Sequence, residues 1–209
     1  MRRVLGLDEA GRGCVLGPLV VGAFLVDEDG IDALKEAGAT DSKKLSAKKR
    51  ESLIAPLGLL GQARVLEVSA VAIDGGNMNT LEEHAFADHI EHFRPDHVII
   101  DAPVHPRGIP NFLDRLRALL TYEPTILAEP KADLNYPPCG AASIFAKVQR
   151  DARIKALGPV GSGYPSDPVT RAWLRGFFER EEPLPDCVRT RWDTLRKLRE
   201  ETAQRGLFS

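Results

Sequence analysis

Cysteine is scarce in this chain. Cys14, Cys139 and Cys187 are the three among 209 residues, an odd number without any C-x-x-C spacing. That pattern argues against a disulfide framework and against a cysteine-rich zinc site, and it suits a reducing compartment. Long apolar runs are also missing, since none reaches the ~18 residues of a membrane span. The opening "MRRVLGLDEA" starts like a signal peptide, but its apolar part is too short and a pair of acids interrupts it. A cytoplasmic protein without membrane association is expected. An excess of positive charge is lacking too: 28 Lys and Arg face 30 Asp and Glu, for a net charge of −2. Proteins that coat nucleic acid through bulk electrostatics are strongly basic. Any nucleic-acid binding must therefore use local patches. Lys43, Lys44, Lys48, Lys49 and Arg50 form one candidate, and Arg189, Arg191, Arg196, Lys197 and Arg199 another. Each also reads as a solvated helix face. Repeats and low-complexity tracts are absent from the sequence.

What remains is ordinary globular material, 43% hydrophobic and 28% charged, enough for one domain with a sizeable core. "RRVLGLDEA" and "GPLVVGAFLV" read as strands joined by a glycine-rich turn, the second apolar at nearly every position, as for a strand covered on both faces. "GQARVLEVSAVAID" and "DHVIIDAP" read as further strands, and "PTILAEPKAD" as a short strand running into a loop. Helical spacing marks "LSAKKRESLIAPL", "NMNTLEEHAFADHIEHF" with a Thr80–Glu83 capping box, "IPNFLDRLRALL", "GAASIFAKVQRDARIKAL", "VTRAWLRGFFEREE" after Asp167, and a charged terminal helix "VRTRWDTLRKLREETAQ". His84, His89 and His92 are expected on one solvated helix, without a catalytic role. Strands come early, helices late, and the two alternate between. This is an α/β domain with a mixed sheet whose opening strands are antiparallel.

Asp8, Glu9 and Asp101 each close a strongly apolar strand, and Asp133 lies just past another. Strand ends are where open α/β sheets bind ligands. Several carboxylates converging there suit magnesium or manganese, including a pair of ions. Aspartates at such places are also ordinary turn formers. Neighbours on a regular strand point to opposite faces, so Asp8 and Glu9 share one site only if the strand bends or ends near Glu9. Beside them Gly11, Gly13 and Gly17 bare the backbone, letting a ligand approach the main chain closely.

Taken together, "LDEAGRG", "DSKKLS", "IIDAP", "KAD", "AASIFAKVQRD" and "GSGYP", in this order and separation, resemble the ribonuclease HII (type 2 ribonuclease H) family, from about Val4 to the terminal helix. The resemblance implies an RNase H-like fold: a five-stranded mixed sheet flanked by helices, with a helical C-terminal part. It implies a catalytic domain over 1–160, a helical C-terminal part of the same unit over 161–203, and a tail free to flex over 204–209. It places the family's acidic metal ligands on Asp8, Glu9, Asp101 and Asp133, with two Mg²⁺ or Mn²⁺ ions. The implied reaction cuts the phosphodiester 5′ of a ribonucleotide, in RNA–DNA hybrids or at single ribonucleotides in duplex DNA, leaving 3′-hydroxyl and 5′-phosphate ends. Such activity would serve ribonucleotide removal during DNA repair and replication.

In this resemblance the backbone of Gly11, Arg12 and Gly13 touches the 2′-hydroxyl, the group that separates ribose from deoxyribose. Tyr164 stacks on the deoxyribose after the junction. Lys43, Lys44, Ser143, Lys147 and Arg150 contact the substrate, the last three sharing one helix face by their spacing. Arg150 reads equally as a scaffold partner of Asp151. Cys14 and Gly140 depart from the family pattern. The ending "AQRGLFS" resembles peptides that bind bacterial sliding clamps, through Gln204, Leu207 and Phe208. A monomer is expected. Two other readings stay open: a hybrid-binding protein that has lost catalysis, and another RNase H-like nuclease such as a resolvase. Four retained carboxylates weigh against the first, because a pure binder gains by shedding negative charge that faces phosphates. The "GRG" and tyrosine pair weighs against the second.

Overall fold

The computed structural model of the chain describes residues 2–39 and 45–206. In order, the elements are β1 (Arg3–Ala10), β2 (Leu19–Asp27), α1 (Ile31–Glu36), α2 (Ala47–Gly58), β3 (Gln62–Val68), α3 (Ala70–Gly75), α4 (Met78–Phe93), β4 (His97–Asp101), α5 (Ile109–Ala118), β5 (Thr125–Glu129), α6 (Ala132–Asn135), α7 (Pro137–Ala156), α8 (Pro168–Glu179) and α9 (Asp193–Gly206). The five strands make one mixed sheet in the order β3-β2-β1-β4-β5. β1, β2 and β3 form an antiparallel meander, whereas β4 and β5 run parallel to β1.

Side-chain parity decides which face each strand residue serves. On β1 and β2, Leu5, Leu7, Leu19, Val21 and Ala23 enter a core with Phe86 and Ile90 of α4 and Phe112 and Leu116 of α5. Phe86 and Phe112 meet edge to face, with centroids 6.2 Å apart. The alternate residues Val4, Phe24 and Val26 pack with α1, α2 and α7 on the other face. β2 is therefore apolar throughout because both its faces are covered.

α7 sits unusually close to the sheet. A Cβ on Gly6 would overlap the backbone of Pro138 and Cys139, and one on Gly22 would overlap Ala142 O. Glycine on the strands and Gly140, Ala141 and Ala142 on the helix are what permit this approach. Gly140 is itself enclosed, since a Cβ there would overlap Ala39 O. A third core gathers Val15, Leu16, Ile154, Val160, Leu174, Val188, Leu195 and Leu198, and so joins the loop after β1 to α8 and α9.

Several local expectations fail for identifiable reasons. The stretch after Val68 is α3, because Ser69 caps it by accepting from Ala72 N at 3.1 Å. Thr80 is not a cap: Asn77 caps α4, accepting from Asn79 N at 2.9 Å and Thr80 N at 3.3 Å, and Glu83 instead pairs with Arg115 at 2.6 Å. The loop expected around Asp133 is the short helix α6. His89 is wholly buried rather than solvated, with its Nε2 3.1 Å from Val21 O, and burial lowers its pKa to about 4. The charged C-terminal patch also divides. Arg189 is fully buried, while Arg196 and Lys197 pair with Asp193 on the surface.

Candidate functional site

β1 keeps a regular register through Ala10, which lies opposite Val20. The strand ends there, one residue beyond Glu9, so Asp8 and Glu9 leave opposite faces of the sheet at its end and still line one cavity. Asp8 points with Gly6 toward α7. Its carboxyl lies 3.7 Å from Lys147 Nζ, and Lys147 in turn donates to the buried Ser143 hydroxyl. Asp101, ending the parallel neighbour β4, shares the parity of Ile99, whose carbonyl accepts from Cys139 Sγ of α7 at 3.1 Å. Asp101 Oδ1 also accepts from Lys131 N at 2.6 Å and Ala132 N at 3.2 Å, which ties the start of α6 to the strand end. That tie brings in Asp133, which is fully buried. The result is a cluster: ligand oxygens of Asp8, Asp101 and Asp133 lie within 4.8 Å of one another.

Glu9 stands outside that group, on the face toward α4, but lines the same cavity of about 390 Å³. Beside it Arg12, which also lines the cavity, donates through its guanidinium to Glu82 and Asn79 of α4. The electrostatics follow from this crowding. Burial raises the Asp8 pKa, with Lys147 and the Ser143 hydrogen bond opposing and Asp133 reinforcing. Glu9 is pushed well up, first by burial and then by repulsion from Asp8, Glu82 and Asp101. Burial takes Glu82 to about 7 despite Arg12. Three carboxylates this close, two of them buried, favour a bound cation over mutual repulsion. Oxygen-only donors suit a hard divalent ion such as Mg²⁺ or Mn²⁺. The donor set thus fits the metal that the sequence suggests.

The 11–17 loop forms the cavity's other wall. Gly11 has φ +87°, and a Cβ there would lie 2.8 Å from Pro18 O, so glycine is needed twice over. Val15 N donates to Gly163 O at 2.8 Å, which ties the loop to Tyr164. Gly17 N donates to Cys187 O at 2.8 Å and Val15 O accepts from Arg189 N at 2.9 Å, which ties it to the C-terminal segment. Tyr164 is 41% exposed, with the Arg150 guanidinium 4.8 Å from its ring centroid. Arg150 is largely buried, and its polar contacts are Cys14 Sγ at 2.9 Å, Asp151 at 3.0 Å and Ser162 O.

Of the residues singled out from sequence, the cavity wall collects Asp8, Glu9, Gly11, Arg12, Gly13, Asp101, Lys147, Arg150 and Tyr164, while Asp133 and Ser143 lie buried behind it. Lys43, Lys44, Leu207 and Phe208 fall outside the described residues, and Gln204 is exposed on α9. Arg50, which the sequence offers only as part of a basic patch and not as a site residue, lines the cavity and pairs with Asp151 at 3.0 Å. Sequence reasoning passed over Glu82 and Asn79. The only signal for Glu82 was a carboxylate on the helix face that also carries Phe86 and Ile90. A larger cavity, about 1180 Å³, lies between α8 and α9 beside Phe177, Leu184 and Arg199, remote from the carboxylate cluster.

Comparison with known proteins bears on what this site belongs to. A family profile described as Ribonuclease HII matches residues 5–195. The ribonuclease HII of Thermococcus onnurineus is 41% identical, over 97% of this chain and 92% of its own. The crystal structure of ribonuclease H2 from Pyrococcus horikoshii superposes with a TM-score of 0.87 at 40% identity, covering 97% of this chain and 99% of that one. The PCNA:RNase HII complex from Archaeoglobus fulgidus contains a chain matching at TM-score 0.84 and 37% identity, over 94% and 96% of the two. A five-stranded mixed sheet of this order, shared with such relatives from end to end, is the RNase H-like fold, and the chain belongs to the ribonuclease HII family, endonucleolytic hydrolases of the type 2 ribonuclease H class.

Proposed function

We propose that this chain cuts the phosphodiester on the 5′ side of ribonucleotides, in RNA–DNA hybrids and at single ribonucleotides within duplex DNA. The observation that carries the reading is the convergence of Asp8, Asp101 and Asp133 beside a glycine-bared loop. Asp8, Asp101 and Asp133 would hold one divalent ion, and Glu9, across the strand, would contribute to a second. Bound ions of this kind supply an activated water and charge stabilisation for the leaving oxygen.

The chain's own groups do the rest. Backbone atoms of Gly11, Arg12 and Gly13 meet the 2′-hydroxyl, and a side chain on either glycine would hold the sugar away. The half-exposed Tyr164 ring offers an apolar face to a deoxyribose and crowds a 2′-hydroxyl there. Reading ribose on one side and deoxyribose on the other defines a junction. Lys147 sits where it can both orient Asp8 and meet a phosphate. Lys43 and Lys44 are proposed as further phosphate contacts.

The test uses a duplex carrying one embedded ribonucleotide, incubated with Mg²⁺, with Mn²⁺ or with a chelator. Cleavage just 5′ of the ribonucleotide is expected with either metal and none with chelator. An intact duplex in both metals, with binding retained, would support the hybrid-binding alternative instead.

A sliding clamp is the proposed partner, since the relative from Archaeoglobus fulgidus is solved in complex with PCNA and this chain ends in Gln204, Leu207 and Phe208. Removing residues 204–209 should abolish binding to a purified clamp and leave cleavage of the short duplex unchanged. Undiminished clamp binding by the truncated chain would end that proposal.

A further inference from the structure

Arg189 is the largest side chain that the fold buries completely. Among the described residues it forms no ion pair, and its Nη2 has no hydrogen-bond partner. Its Nε donates to Gly17 O at 3.0 Å and its Nη1 to Arg12 O at 3.0 Å. The guanidinium lies 5.1 Å from the Trp192 ring centroid. Burial lowers its pKa to about 10, so it remains a cation at neutral pH.

Burying a cation against carbonyls and an aromatic ring, with no carboxylate in direct contact among the described residues, is a poor way to add stability; an apolar side chain of similar volume usually does as well or better. What a rigid, forked donor supplies is orientation. In a trans peptide the C=O and the following N–H point in opposite directions. Holding Arg12 O toward Arg189 therefore turns the Gly13 N–H the other way, and Gly13 lines the cavity. The Arg12 side chain is itself anchored to Glu82 and Asn79 of α4. The two anchors grip one peptide plane from the C-terminal segment and from α4.

We infer that Arg189 is a positioning residue for ribose recognition: it fixes the Arg12–Gly13 peptide so that the cavity-facing backbone is set before substrate arrives. This rests on the proposed function. It also makes the junction reader depend on a residue outside the sheet, more than 170 positions along the chain from the loop it holds.

The test compares wild type with Arg189→Lys and Arg189→Gln. Two quantities are read: kcat/KM on the single-ribonucleotide duplex, and the inhibition constant of an all-DNA duplex of the same sequence. Lysine keeps the charge but loses the fork. Its kcat/KM is expected to fall about tenfold, and that of the glutamine variant up to ~100-fold, as for a misplaced reacting geometry. The inhibition constant should stay within about twofold, because phosphate contacts are untouched. The inference is overturned if both folded variants keep kcat/KM within about threefold of wild type, well short of a misplacement effect. It is equally overturned if kcat/KM and the inhibition constant worsen in parallel, which marks a loosened scaffold. Failure of both variants to give a cooperative melt would assign Arg189 to folding alone and also overturn it. A wild type that leaves the ribonucleotide duplex intact removes the proposed function itself, and this inference with it.

Discussion

Asp101→Asn should lower ribonucleotide-directed cleavage by ~100-fold or more while the fold survives. The carboxylate serves two purposes that the substitution separates. As an acceptor, Asp101 Oδ1 takes hydrogen bonds from Lys131 N at 2.6 Å and Ala132 N at 3.2 Å, and an asparagine carbonyl can keep both. As a charge, it sits within 4.8 Å of Asp8 and Asp133 and repels Glu9. Removing the charge weakens the cation site and relieves the repulsion. The variant is thus expected to melt no lower than wild type in chelator, yet to gain less stability than wild type when Mg²⁺ or Mn²⁺ is added, since a ligand stabilises only in proportion to its binding. Thermal melts with and without metal, run beside the cleavage assay, separate lost chemistry from lost structure. Activity within about tenfold of wild type would remove Asp101 from the metal-binding group, because losing such a group costs more than that.

The second large effect concerns stability. Gly6→Ala should destabilise the chain by about 3 kcal/mol or more, at the upper end of overpacking costs. Most overpacked sites yield by shifting a side chain. Here the added Cβ meets the backbone of Pro138 and Cys139 at the start of α7, which is held in turn against Gly22 and Ala39. Relief requires the whole helix to lift, and α7 carries Lys147 and Arg150 along the cavity. Activity should fall with stability. Gly58→Ala is the control: at the end of α2 its Cβ would meet nothing within 4 Å, so stability should change by less than about 1 kcal/mol, the glycine-to-alanine difference inside a helix. Urea midpoints for the two variants settle the matter, and a Gly6→Ala midpoint matching wild type would show that α7 is not seated on backbone contact.

Much of the fold was legible because its signals are local. Runs such as "LVVGAFLV" and "HVII" carry their strand identity in composition, and Asp167 before Pro168 marks the start of α8 by cap chemistry alone. Misses arose where two local signals compete. Ser69 and Asn77 out-cap their neighbours, so α3 interrupts an expected strand and α4 begins before Thr80. Charged residues misled wherever burial comes from distant partners. Arg189 reads as surface until carbonyls of Arg12 and Gly17 are found beneath it, and Glu82 carries no site signal until Arg12 reaches it from 70 positions away.

The sequence by itself determined the mixed α/β layout, the four candidate acids at or just past strand ends, the glycine-bared loop and the kinship that its motifs spell out. Tertiary structure decided how those acids divide. The alternation of side chains along β1, in register to Ala10, sends Asp8 toward α7, to meet Asp101 and Asp133, and sends Glu9 toward α4 and Glu82. Strand parity is written in the chain, but which helix covers which face depends on contacts between residues far apart in sequence, and these exist only once the sheet has been packed on both sides.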